Sequence, residues 1–235
     1  MRFYTGLQPA LFPSYSGNYM DISLYDKYLN NKSQEIVIFS HNGQFIMNVK
    51  AGLEPQVLLK TYSHFEPEDL ARHKAAIMMP HSVMSYMTTE LYALGMPLFV
   101  PSMKYWKNVG GLGYDRTVVG PPYDCDPKEV AKFENIHSEL IEKSVHPYSP
   151  NVDFAMAPEA ELYWLQMADF FHWPHVQYFD NIPDLKQKLL QTDFERVHNS
   201  MKQEMQVKKS KLKMELCDIV FVNDKVRLNS QNKST

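Results

Sequence analysis

Apolar residues along this chain fall into two rhythms. Short unbroken runs stand at residues 35–40 (EIVIFS), 56–62 (QVLLKTY), 74–80 (KAAIMMP), 97–101 (PLFVP) and 176–179 (VQYF), each bounded by polar or turn-forming residues. Runs of this length without alternation predict strands covered on both faces, as in a parallel sheet. Between them the spacing becomes helical. Pro67 with Glu66, Glu68 and Asp69 predicts the start of a short helix, because proline lacks the donor that is unpaired there and carboxylates favour the positive end. Residues 83–94 predict a helix closed by Gly95, which supplies the left-handed conformation of a C-terminal cap. Val130, Phe133, Ile136, His137, Leu140 and Ile141 form one helical stripe. Residues 158–171, apolar nearly all round, predict a buried helix stopped by Trp173 and Pro174. Ile182, Leu185, Leu189 and Leu190 mark another helix. Phe194, Val197 and Met201 open a long polar one that frays from Asn229.

Strands alternating with helices predict an α/β fold, a Rossmann-like parallel sheet with helices on both faces. Residues 1–34, rich in Tyr, Pro, Ser and Asn, read as an irregular lead-in, and residues 104–126, with Gly110, Gly111 and Gly113, as loop. The organisation expected is a lead-in over 1–34, one domain over 35–205, and a C-terminal helix with a frayed tail over 206–235.

Composition narrows the classes. The chain has 235 residues, 44% hydrophobic and 13% aromatic, enough apolar surface to fold. A formal net charge of −3 gives no basic excess, so nucleic acid is not the expected partner. The lysines at 202, 208, 209, 211 and 213 read as a solvated helix face. No window approaches the ~20 apolar residues of a membrane helix. The opening stretch, broken by Pro9 and Pro13, is a poor signal peptide. The compartment stays unassigned, with the cytoplasm as default. Two cysteines, Cys125 and Cys217, are too few and too far apart for a disulfide framework or a metal knuckle.

The most informative stretch is residues 73–102, HKAAIMMPHSVMSYMTTELYALGMPLFVPS. It reads as strand, turn, helix with an acidic residue, glycine cap, strand. In open parallel sheets ligands bind beyond the carboxyl ends of the strands, where helix N-termini also point. His81, Ser82 and Ser85 fall at the start of this helix, suited to a diphosphate. Glu90 lies further along it, suited to accept hydrogen bonds from ribose hydroxyls. His41, after the first strand, is a further candidate on the same edge, and Lys50 a candidate cation.

Residues 90–100, Glu-Leu-Tyr-Ala-Leu-Gly-Met-Pro-Leu-Phe-Val, resemble the C-terminal, nucleotide-sugar-binding domain of GT-B fold glycosyltransferases in the order and spacing of the acidic residue, glycine, proline and buried strand. Tyr178-Phe179-Asp180-Asn181 with the helix after it resembles that family's last strand and turn, and residues 194–205 its closing helix. The resemblance covers residues 35–102 and 175–205. It implies one half of a GT-B enzyme, a nucleoside diphosphate sugar as donor substrate, and Glu90 as the ribose-holding acid. It implies no cofactor and no metal, since the family stabilises its leaving group without one. It also implies an incomplete chain, the acceptor site coming from a second domain or a partner chain. Retaining members often carry a glutamate where Ser82 stands, which motivates the alternative of a non-catalytic binding or scaffold protein that keeps the fold.

Other constellations weigh less. His172 and His175 are close, but no cysteine or carboxylate stands at ligand spacing, and they read as loop residues. Asp169, inside an apolar helix, is a candidate for a raised carboxyl, although a hydrogen bond to a neighbouring loop explains it as well. The glycines at 110–113 lack the Lys-Ser or Lys-Thr ending of a phosphate loop. No catalytic base is legible.

Overall fold

The computed structural model describes residues 21–80, 86–109, 162 and 165–231. Five strands form one sheet: β1 (Ile36–Phe39), β2 (Leu59–Lys60), β3 (Ala76–Met78), β4 (Leu98–Pro101) and β5 (Gln177–Phe179). All pairs are parallel, in the order β2-β1-β3-β4-β5. This is one of the two common orders of doubly wound sheets. The α/β, Rossmann-like expectation holds at that level. Strands β3 and β4 are buried along their whole length and β1 along its first three residues, as their unbroken apolar runs require. The run at 56–62 yields only the two-residue β2, at the sheet's edge.

The connections follow from the order. Helix α1 spans Ile22–Asp26, α2 Gly43–Leu53, α3 Pro67–Ala71, α4 Tyr86–Ala93, α5 Met103–Val109, α6 Ile182–Gln191 and α7 Phe194–Gln231. From β1 the chain moves outward to β2 through α2; from β3 it moves the opposite way to β4 through α4. Right-handed crossovers therefore put α2 and α4 on opposite faces. Helix α6 returns to α2, so closely that Ile182 lies where a Cβ on Gly52 would stand. Tyr25, Leu53, Leu91, Phe99, Trp106 and Phe179 anchor the core.

Local signals account for the helix ends. Asp69 accepts from the Glu66 amide at 3.0 Å, with Pro67 in the first turn of α3. Asn42 accepts from the Phe45 amide at the start of α2, and Asn181 from the Asp184 amide at the start of α6. Helix α4 ends as the sequence predicts. Gly95 has φ +72°, the Met96 amide donates to the Leu91 carbonyl, and the Gly95 amide to the Tyr92 carbonyl, the paired bonds of a Schellman cap.

Several expectations need correction. Residues 21–34 are not irregular. Asp21 caps α1 by accepting from the Ser23 amide at 2.8 Å, and a 3-10 turn follows at Leu29–Asn31. Residues 104–109, read as loop, belong to α5, whose Tyr105 amide is capped by Ser102 at 3.1 Å. Asp169 lies exposed in a 3-10 turn, not inside a buried helix. The lysine run, read as a solvated face, is exposed at Lys209, Lys211 and Lys213, but part of it is engaged. Lys202 pairs with Asp26, Lys209 with Asp21 at 2.9 Å, and Lys208 lies 5.4 Å from the Tyr92 ring centre.

Those pairs belong to a clasp that closes the domain. His198 of α7 is wholly buried, its Nδ1 2.7 Å from the Gly95 carbonyl and its Nε2 2.9 Å from an Asp26 carboxylate oxygen. One imidazole thus ties the cap of α4, the N-terminal helix and the closing helix together. Lys32 adds a second tie, donating to the carbonyls of Tyr25 and Ala71 near the ends of α1 and α3. Burial pushes its amine down to about 7, against the pull of Asp26.

Candidate functional site

The strand order places the site. Strands β1 and β3 are neighbours, yet the chain leaves them in opposite directions, so their following loops diverge and open a crevice at the carboxyl edge. Pairing persists to the Met79 amide, which donates to the Phe39 carbonyl at 2.9 Å. Beyond it the lips part. On the β1 side, Ser40 Oγ accepts from the Asn42 amide at 2.9 Å, and Asn42 is committed to capping α2. His41, between them, is exposed on this lip. On the β3 side the description reaches Pro80, and the candidates His81, Ser82 and Ser85 lie outside the described residues.

Glu90 is carried on α4, which rises from that edge. The helix buries Thr88, Leu91, Tyr92 and Ala93; Tyr86 and Glu90, four residues apart, lie on one stripe, which the buried Ala93 closes at its C-terminal end. Tyr86 is 82% exposed. Glu90 is half-buried, and burial raises its carboxyl above the ordinary glutamate value. Among the described residues no hydrogen bond or ion pair compensates it. An incompletely hydrated acceptor without a partner is a group ready to take hydroxyl or amide donors from a ligand.

Lys50 cannot serve this edge as the candidate cation. It lies in the last turn of α2, about 10 Å along the helix from the end that faces the crevice.

The rim of β4 and β5 carries polar residues to which the sequence reading assigns no role. Ser102 donates to Asp180 at 2.6 Å and Lys104 pairs with the same carboxylate at 3.0 Å. These two bonds hold the Asp180 carboxyl below the usual range. The Asp180 amide donates to Asp184, which Lys188 also holds at 2.8 Å. Burial pushes Asp184 up, but the Lys188 and Asp180-amide bonds outweigh it and keep its carboxyl low. Every carboxylate in this chain of bonds is partnered from within, so the network braces the loops and offers no free acid or base. Ser102 and Asp180 meet across 78 residues of sequence, which no local pattern could reveal.

An open depression of about 600 Å3 lies beside the crevice on the β2 side, lined by Ser63, His64, Phe65, Glu66 and Asp69. It joins the sheet edge through Phe65, whose ring meets Phe39 edge-on at 5.6 Å. Glu90 does not line it, and Asp69 is engaged with the Glu66 amide. The unpartnered carboxylate favours α4 over this open depression, since an uncompensated polar group is the stronger pointer to a ligand.

His172 and His175 are exposed turn residues, His172 Nε2 lying 3.0 Å from the Gln166 carbonyl and His175 adopting φ 69°. Among the described residues, no group of three or more His, Cys, Asp or Glu could hold a metal ion. No helix there is long and apolar enough to cross a membrane. The glycines at 110–113 lie outside the described residues. Matched against protein-family models, curated proteins and solved structures, the chain finds no counterpart in any of the three.

Proposed function

We propose that this chain binds a nucleoside diphosphate sugar at the carboxyl edge of its sheet and presents it for transfer to an acceptor hydroxyl, as a glycosyltransferase does. Glu90 carries the reading: a partly desolvated carboxylate, unpartnered among the described residues, on the helix that leaves β3 where the strand order reverses. A ribose offers such a group two adjacent hydroxyl donors, and charge-assisted hydrogen bonds of that kind are among the stronger ones. In this reading His41, on the β1 lip, and His81, Ser82 and Ser85 serve the diphosphate. Transfer expels a nucleoside diphosphate, whose developing charge needs N–H donors or a cation in a water-poor cleft. The acceptor and its base come from a second domain or a partner chain.

Calorimetric titration with UDP, GDP, ADP and dTDP tests the proposal. It expects at least one of these to bind, and Glu90→Ala to abolish the heat while the far-ultraviolet spectrum stays unchanged. Absence of heat for all four at millimolar concentration would sink it.

A second reading, a binding protein without chemistry, draws on Ser82, which stands where retaining members of the resembled family often carry a glutamate. Binding without release of nucleoside diphosphate from any donor sugar, even with acceptors supplied, would select it.

A further inference from the structure

Tyr86 is 82% exposed, an unusual position for an aromatic ring on a helix whose Leu91 and Tyr92 are buried. Glu90 lies one turn below on the same stripe, and helical side chains lean toward the N-terminus, so its carboxylate is carried up toward the ring. Ring and carboxylate together form a surface with one flat apolar element and one acceptor. A nucleoside has the complementary layout. When the 2′,3′-hydroxyl edge of a ribose meets a carboxylate, its base and its 5′-substituent both project from the far side of the sugar, separated laterally. With the hydroxyls on Glu90, base and phosphates both stand level with the first turn of α4, where Tyr86 is.

We infer that Tyr86 is the platform on which the nucleobase stacks, and that recognition of the base rests on this face contact. The inference depends on nucleotide binding at Glu90 and adds which part of the nucleotide lies where. Stacking on an exposed tyrosine tolerates every base, since each has a π-face, so uracil, guanine and adenine gain from it alike.

The test compares UMP with ribose 5-phosphate, which share sugar and phosphate and differ by the base, titrated into the full chain and into Tyr86→Ala and Tyr86→Phe. Tyr86 is so exposed that neither substitution disturbs folding, and equal melting temperatures check this. Tyr86→Ala is expected to weaken UMP about 5- to 150-fold, the range of one base–aromatic stack, and to leave ribose 5-phosphate unchanged. Tyr86→Phe keeps UMP binding within about twofold, because the ring and not the hydroxyl does the stacking. If Tyr86→Ala binds UMP like the natural chain while Glu90→Ala does not, the base lies elsewhere and the inference fails with nucleotide binding intact. An equal loss in Tyr86→Phe and Tyr86→Ala overturns it too, by showing a hydroxyl contact. If the natural chain binds neither ligand, nucleotide binding itself fails.

Discussion

Replacing Gly95 by alanine strikes the point where α1, α4, β4 and α7 meet. Two penalties act there. Gly95 has φ +72°, a left-handed conformation that costs a residue with a Cβ about 1–2 kcal/mol. The new methyl would also stand 2.8 Å and 2.9 Å from two Ile22 side-chain carbons and 3.0 Å from His198 Nδ1. Ile22 can give, because its terminal carbon is the flexible end of a half-buried side chain. His198 cannot give as easily, since its nitrogens are held by the Gly95 carbonyl and Asp26. Overpacking of this kind costs about 1–3 kcal/mol, and part of it relaxes at Ile22. The expected total is about 3 kcal/mol, or about 6–12 °C in melting temperature for a domain of this size. Urea denaturation followed by tryptophan fluorescence measures it. An Ile22→Ala background removes two of the three contacts and should make Gly95→Ala cheaper by about 1 kcal/mol. A loss below about 1 kcal/mol from the single substitution, or no coupling to Ile22, would refute the geometry of the clasp.

Gly52→Ala places a methyl 2.3 Å from Ile182 Cγ2, so it should lower stability despite alanine's advantage of about 1 kcal/mol in a helix. In an Ile182→Ala background the same substitution should turn stabilising, which a double-mutant cycle in urea would check. Acid should loosen the clasp. Asp21, held at about 2 by the Ser23 amide and Lys209, and Asp26, where Lys202 and His198 outweigh the upward push of burial, both have folded values below the ordinary carboxylate. Their contribution is full above the unfolded value of 3.8 and disappears as pH falls through the folded values, that of Asp21 being about 2. Melting temperature measured between pH 5 and pH 2 should therefore fall less steeply in an Asp21→Asn, Asp26→Asn variant. Glu90 has the opposite sign. Burial raises its carboxyl, so the folded chain is penalised once pH climbs past the ordinary glutamate range. Glu90→Gln should melt higher than the natural chain at pH 7 and no higher at pH 3.5, a stability gain at a binding group.

What the sequence discloses and what it conceals have physical causes. Strands β1, β3 and β4 announce themselves because a strand buried on both faces is apolar along nearly its whole length, and the turn at Gly95 because its left-handed backbone admits few other residues. Helix α1 is hidden: five residues carry too little periodicity, and its docking rests on Lys202, His198 and Lys209, residues at the other end of the chain. Helix α5 is hidden by the glycine-rich stretch after it, which draws the whole segment into a loop reading. Glu90 is legible as a candidate from its place before Gly95. Its shared stripe with Tyr86 is also written in the sequence, in their four-residue spacing, but the exposure of the ring emerges only once the helix is set against the sheet. The lysines at 202 and 209 illustrate the converse, since charge alone cannot tell a solvated lysine from one aimed at an aspartate 176 or 188 residues away.

The most direct test follows the amide signals of the isotopically labelled chain by nuclear magnetic resonance as UDP is added. Binding at the carboxyl edge predicts that shifts concentrate on residues 86–93 of α4 and on Ser40, His41 and Asn42, and vanish in Glu90→Ala. Shifts confined to Ser63–Asp69, or spread along α7, with α4 silent, would contradict the placement of the ligand at Glu90.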